Sequence, residues 1–281
     1  MNRAYFQGLK VVAQQKAEGL LLDLYPADAA YSFRKLRSNY TGAAIRVRRS
    51  SDDAEQDIGF DANNDLDTAS LLSFVGSGDG FVTTFYNQGS GTSNAVNTQN
   101  VRQSRIVIAG ILQTKNSKPA SITPDVNNGN NRYNFNSNNI NTVSLVYSRN
   151  NVNTVDYLSG LDIGGGVYAG GSATGFNGFG FFDSSNALNS NLGDDFNQHI
   201  SIFSTKKTNN AFFLVDNSSE INAGTIIGSE FNFRSLLSRF DLTGNNITFI
   251  GFFQEAVFFS EDHTNDLAGI RNNINNYYNV F

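Results

Sequence analysis

The 281 residues contain no cysteine, no tryptophan, three prolines, two histidines and one methionine. The missing cysteine excludes disulfides and thiolate metal sites, but leaves the compartment open, since a protein can be exposed or exported without bridges. A long hydrophobic run is also lacking. The longest early aliphatic stretch is Leu20-Leu21-Leu22, too short for the core of a signal peptide or for a membrane span, and we expect neither. The 20 basic residues are scattered apart from Arg46, Arg48 and Arg49. With a net charge of −5 and a pI near 5.0, the chain has no basic footprint for nucleic acid.

Asparagine, glycine and phenylalanine are plentiful, at 39, 26 and 24 residues. Asn and Gly tolerate left-handed turn conformations and mark loops, while each Phe can bury roughly 150–250 Å². Many short strands joined by polar loops around an aromatic core fit that mixture.

AAIRVRRSSDDAEQDIGF, residues 43–60, sorts charge by sign. Side chains alternate faces along a strand, and folding the chain back at Ser50-Ser51-Asp52-Asp53 sets Arg48 opposite Glu55, Arg46 opposite Asp57 and Ile45 opposite Ile58. Each opposite-charge pair across antiparallel strands contributes roughly 0.2–1 kcal/mol, and like charges would cost. A register-fixing hairpin is predicted.

Residues 1–24 form a segment rich in Ala, Gln, Lys and Leu with Phe6, Leu9, Val12 and Ala13 at helical spacing; a helix or an extended, irregular arm both fit. Helices are also predicted over Ala27–Tyr40, Asp67–Val75 and the end of the chain. The last carries Leu267, Ile270, Ile274 and Tyr277 on one stripe, with Thr264 as cap. Strands are predicted at Phe81–Tyr86, Arg105–Leu112, Val143–Ser148, Gly166–Tyr168, Gly178–Phe182, His199–Thr205, Ala211–Asp216, Asn246–Phe252 and Gln254–Phe259, with VNNGNNRYNFNSNN read as loop. Short strands at this spacing, with helices confined to the two ends, indicate an all-β sandwich with a few peripheral helices. The organisation expected is an N-terminal arm, 1–24, and one domain, 25–281.

The candidates for chemistry are few. Glu255 is the best single acid for a glycosidase, which needs two carboxyl groups flanking the scissile bond; the alternative is a buried structural carboxylate. Asp194-Asp195 and Glu261-Asp262 are adjacent pairs, better suited to loop or helix-start charges. His199 and His263 stand alone, so no transition metal and no cofactor is expected. GGGVYAGG, 164–171, lacks the Lys of a phosphate loop, so its glycines serve turns or close backbone approach. For sugar binding, Tyr133, Phe135 and Phe176 lie in Asn/Gly-rich segments and could stack on a pyranose; alternatively they plug the ends of the sandwich.

Three stretches, 20–91 with RRSSDDA and FYNQGSG, 105–112 (RIVIAGIL) and 249–278 with FIGFFQEAVFF, together resemble the concanavalin A-like, LamG-type jelly-roll modules of many bacteriophage virion proteins. More distantly, the RRSSDDA hairpin region resembles the catalytic domain of arabinofuranosidase B enzymes. The resemblance implies a jelly roll carried in the virion as a fibre or head-decoration protein. It would be docked to other virion proteins through the arm and display its domain for adhesion to a cell-surface or mucosal glycan. Fibre-like assemblies are commonly cyclic homo-oligomers, and a trimer is expected. On this reading the protein is not an enzyme; the alternative is a glycoside hydrolase of arabinofuranosidase type. Two departures stand out. Asn87 replaces an Asp common in the virion modules, and no segment matches the Cys-Cys-containing stretch of the arabinofuranosidase nucleophile, so no catalytic residue is carried over.

Overall fold

The computed structural model describes residues 19–124, 131–150, 155–162, 165–170, 178–182, 187–192, 195–206, 210–225, 230–239 and 248–281. Its centre is the strand Gly251–Phe259. One edge pairs antiparallel with Ala29–Ser32 and with Ser121–Ile122, the other with Thr142–Arg149. The layer continues through Gln198–Lys206, Asn210–Val215 and Ile221–Thr225. A second layer runs from the hairpin Ile45–Arg49/Glu55–Ile58 to Gly80–Phe85, then through Ala95–Val96, Tyr133–Ile140, Phe231–Leu236, Val155–Leu161, Gly166–Gly170 and Gly178–Phe182. The expected jelly-roll-like β-sandwich is the architecture found.

Period-two alternation explains how the first layer is buried on both faces. Tyr31, Val143, Leu145, Tyr147, Phe203, Phe213 and Phe258 point into the main core, where they meet Phe85, Tyr133, Phe135, Phe181 and Phe233 of the second layer. Their chain neighbours Ala30, Val146, Ile200, Ile202, Leu214, Val257 and Phe259 point the other way, into a second apolar cluster. That outer face is covered by the C-terminal helix Leu267–Tyr278 through Leu267, Ile270, Ile274 and Tyr278, together with Leu21, Leu22 and Leu36. A strand covered on both sides reads as a continuous apolar run rather than an alternating one. All eight residues of Thr142–Arg149 are buried.

The predicted hairpin is present in the predicted register, with Ile45 opposite Ile58, Arg46 opposite Asp57 and Arg48 opposite Glu55. Arg46 also forms a bidentate ion pair with Asp57, Nε to Oδ1 at 2.6 Å and Nη2 to Oδ2 at 3.0 Å. Arg48 turns back to Asp53 at the hairpin tip instead of reaching Glu55. The helix Thr68–Val75 is capped by Asp67, whose carboxylate accepts from the Ser70 amide, and stops at Gly76 with φ +68.

Four predictions are corrected. Ala27–Tyr40 is not a helix: Ala29–Ser32 is a strand, because pairing with Phe258–Glu255 satisfies its backbone and buries all four residues. Tyr133–Ile140 is a strand rather than a loop, with Tyr133, Phe135 and Ser137 inward and Asn134, Asn136 and Asn138 outward. Thr264 does not cap the last helix; its amide bonds Asp262, and Asp266 holds the cap position with no side-chain bond to a helix amide. On that helix Tyr278 is fully buried, while Tyr277 is half-buried.

Residues 1–18 of the arm lie outside the described residues. Leu21–Leu24 forms a single helical turn with Leu21 and Leu22 buried, and Asn273 of the last helix donates to the Gly19 carbonyl at 3.1 Å. The packed body therefore begins before residue 25. In the 164–171 segment, Gly166 has φ +136, and a Cβ there would lie 1.9 Å from the Ser159 carbonyl oxygen of the adjoining strand. Only glycine permits that approach.

Candidate functional site

Glu255 sits in the central strand and is fully buried. Arg34 grips it with Nε 2.8 Å from Oε2 and Nη2 3.0 Å from Oε1, and Ser32 Oγ and Tyr278 Oη add donors at 2.8 and 3.2 Å. Burial alone would push the Arg34 guanidinium down, and the Glu255 carboxylate more than reverses it, leaving the guanidinium above its ordinary value. Tyr277 and Tyr278 flank the guanidinium with their rings at 5.0 and 5.6 Å. Every oxygen of Glu255 is committed to this network, which ties the first strand to the last helix. Its role is structural.

His199 lies with Nδ1 2.8 Å from Asp216 Oδ2 and Nε2 3.1 Å from Asp195 Oδ1, against the Tyr147 ring at 5.8 Å. His263 bonds Asp266 and the Pro26 carbonyl, each at 3.1 Å. Both imidazoles thus hold the chain. Among the described residues no group of three or more His, Cys, Asp or Glu side chains converges on a common point.

The proposed aromatic platform is not formed by Tyr133 and Phe135. Both are buried in the main core. The Tyr133 hydroxyl donates to the Val82 carbonyl at 2.8 Å and accepts from the Ser104 amide at 2.9 Å, and burial pushes it well above its usual range. Phe135 packs against Tyr31 at 5.2 Å and Phe258 at 5.0 Å. The strand alternation that put asparagine outward put these rings inward. Phe176 lies outside the described residues.

Clefts form at the rims instead. One of about 540 Å³ opens beside the charged hairpin and is lined by Arg48, Asp53, Asp79, Phe81, Gln103 and Arg105. Arg48 pairs with Asp53, bonds Gln103 at 3.0 Å and lies over the Phe81 ring at 4.4 Å. Asp79 accepts from the Ala109 amide at 2.8 Å and stands 3.7 Å from Arg105. This cleft brings two carboxylates together, each beside an arginine, so it suits orienting a polar ligand. A second cleft, of about 600 Å³, holds one carboxylate, Asp28, among hydroxyls and amides. A third, of about 350 Å³, lies by Tyr40 and Asp61. Residue spacing gave no sign of these groupings apart from the Arg/Asp run at the hairpin, because loops far apart in the chain assemble them.

Asn87 acquires a clear role. Its Oδ1 accepts from the Ala30 and Gly89 amides at 2.8 and 2.7 Å, and its Nδ2 donates to the Asp28 and Gly91 carbonyls at 3.1 and 2.9 Å. Gln88 does the same next door, accepting from Leu36 N and donating to the Ser32 and Arg34 carbonyls. These two amides pin the strand Ala29–Ser32 and the segment just past it that carries Arg34.

Residues 23–213 match the family of catalytic domains of alpha-L-arabinofuranosidase B. Among solved structures, the chain is similar to a GH54 α-L-arabinofuranosidase soaked with a cyclic sulfate inhibitor, at 13% identity and a TM-score of 0.65. It is also similar to a glutamate-to-glutamine variant of a GH54 α-L-arabinofuranosidase soaked with 4-nitrophenyl α-L-arabinofuranoside, at 13% and 0.67. A third is an arabinofuranosidase complexed with arabinofuranosyl-α-1,2-xylobiose, at 15% and 0.65. Each likeness covers 90% of this chain, and the chain spans 64% of each of those structures. No curated protein sequence matches. These findings overturn the expectation of a non-enzymatic phage fibre or decoration protein: the match over residues 23–213 is to a glycosidase catalytic domain, and no virion protein is among the similar structures described. By that match over residues 23–213, which is more than half of its length, the chain belongs to the family of alpha-L-arabinofuranosidase B catalytic domains.

Proposed function

We propose that this chain is a glycoside hydrolase of the α-L-arabinofuranosidase type, cleaving the bond between an arabinofuranosyl residue and its leaving group with water. The observation that carries this reading is the family match over residues 23–213. Such a reaction asks for one carboxyl group to protonate the leaving oxygen and another to attack or to activate water. Of the described clefts, the one at the hairpin holds two carboxylates, Asp53 and Asp79. Asp125, Asp183, Asp194 and Asp241 lie outside the described residues.

The test is release of 4-nitrophenol from 4-nitrophenyl α-L-arabinofuranoside by the intact chain. Asp53, Asp79, Asp125, Asp183, Asp194 and Asp241 are then replaced singly by Asn. A general acid or base is expected to show itself by a loss of about 100-fold or more. If the wild-type chain gives no turnover, the hydrolytic reading fails; turnover that none of the replacements reduces would put its acids at other residues.

A second reading is a sugar-binding domain without turnover. It is favoured by the arginine partners of both hairpin-cleft carboxylates. Binding of arabinofuranosides without product release in the same assay distinguishes it.

A further inference from the structure

The cleft at Asp28 stands out by what its groups leave unused. It forms where the start of the strand Ala29–Ser32, the Gly91–Ser93 turn, the outward side of Tyr133–Ile140 and Ser260 meet, and its volume is about 600 Å³. A single ion would not fill such a space, whereas a sugar of one or two rings falls within the usual range for small-molecule sites, roughly 300–1,000 Å³.

The lining is polar throughout: Asp28, Thr92, Ser93, Asn136, Asn139 and Ser260. Its fixed part is well braced. Asp28 Oδ2 accepts from Ser137 Oγ, Ser93 Oγ accepts from the Asn136 amide at 2.8 Å, and the Ser93 carbonyl accepts from the buried Tyr31 hydroxyl at 2.7 Å. Asn138 is held by Arg234 at 2.9 Å. Against this frame, Asp28 Oδ1, Thr92 Oγ1, Ser260 Oγ and the side-chain amides of Asn136 and Asn139 take no hydrogen bond from any described residue. They offer donors and acceptors of both kinds, one negative charge, no cation and no aromatic plane.

That set selects against anions, which would meet the carboxylate without a compensating cation, and against apolar ligands, which would strand the polar groups. It fits a neutral ligand that presents hydroxyls on all sides. We propose that the Asp28 cleft is a saccharide-holding site for one or two sugar residues, with Asp28 Oδ1 accepting from a sugar hydroxyl and the Asn136 and Asn139 amides bridging to others. The inference stands on the lining chemistry and does not depend on the hydrolytic reading, because holding a sugar there requires no bond to break.

The experiment is an NMR titration of the full ¹⁵N-labelled chain with L-arabinose, with xylobiose and, separately, with calcium chloride. The wild-type chain is run beside the double variant Asn136→Ala/Ser260→Ala, whose changes fall on exposed side chains and leave the backbone pairing intact. Saturable shifts in the backbone amides of Gly91, Thr92, Ser93 and Asn136 with at least one sugar are expected. In the double variant the affinity should drop about tenfold or more, as befits two lost hydrogen bonds. No sugar-dependent shifts at these amides, equal affinity in the variant, or shifts with calcium alone would each overturn the proposal. Turnover of 4-nitrophenyl α-L-arabinofuranoside is followed on both proteins. Binding without turnover leaves this site standing while the hydrolytic reading falls; turnover without binding at these amides does the reverse. Turnover lost together with binding in the variant would make the cleft a reaction centre and overturn its assignment as a holding site.

Discussion

Arg34 and Glu255, 221 residues apart in the chain, meet in a buried bidentate ion pair with Nε–Oε2 at 2.8 Å and Nη2–Oε1 at 3.0 Å. The pair bonds a residue just past the edge strand to the central one, and Asn273 of the last helix approaches the same guanidinium at 3.3 Å. A charge left behind in such a place has no water to turn to. Glu255→Gln is therefore expected to destabilise the fold by about 3–5 kcal/mol, since breaking a buried pair costs more than the pair contributes. Thermal unfolding followed by circular dichroism checks it. Replacing both partners with apolar residues, Arg34→Met/Glu255→Leu, should cost less than the single change; a double variant less stable than Glu255→Gln would contradict this account. Loss of activity in Glu255→Gln should track the loss of folded protein.

Asn87 uses its amide in both directions, accepting two backbone N–H groups and donating to the carbonyls of Asp28 and Gly91. An aspartate, ionised at neutral pH, can only accept. Asn87→Asp keeps the shape but leaves two carbonyls facing a carboxylate oxygen, and an expected cost of about 1–3 kcal/mol follows from the groups left unsatisfied. Chemical denaturation should show a lower midpoint at an unchanged slope. Equal stability would mean that the edge strand is held without this amide.

The charged hairpin should loosen in acid. A hydrogen bond from Arg46 holds the Asp57 carboxyl below its usual range against the opposing effect of desolvation, and the Arg49 bond, with the Ala54 amide, draws Asp52 down to about 2. Carboxylates depressed in the folded state add stability that is complete above their unfolded value, near 3.9, and lost as pH falls through the folded one. Between roughly pH 4 and pH 2, the protection of amides in residues 45–58, relative to their intrinsic exchange rate, should fall ahead of that in Thr142–Arg149. Asp57→Asn should remove much of that pH dependence. A hairpin whose protection is flat across this window would dissociate the ion pairs from its stability.

The hairpin was readable because its partners are thirteen or fewer residues apart and charge announces their register. Thr142–Arg149 and Gly178–Phe182 were readable as apolar runs. Ala29–Ser32 was not, since the residues that make it a strand are Phe258 to Glu255, far along the chain. Tyr133–Ile140 was hidden by its asparagines, which are poor strand formers but sit on the exposed face, where burial of Tyr133 and Phe135 decides the outcome. The site suffered from the same distance. Glu255 looks like an acid in an apolar strand until Arg34 is placed beside it, and Asp28, Thr92, Asn136 and Ser260 come from four separate segments. The RRSSDDA region forms a structural hairpin, so it marks the sandwich and leaves the activity unranked.

The central strand Gly251–Phe259 and its neighbour Thr142–Arg149 have no wet side: one face is packed on the other layer and the outer one lies beneath the terminal helix. A concave palm open to polymer, the familiar way for a sandwich to grip a glycan, is thus closed off on that layer. On that layer a ligand can be met only at the margins, where loops can lengthen or change composition without disturbing a single buried ring. Diversification of specificity in this protein would accordingly proceed by trading rim segments on an unaltered frame, and transplanting one such segment between relatives should carry its preference along.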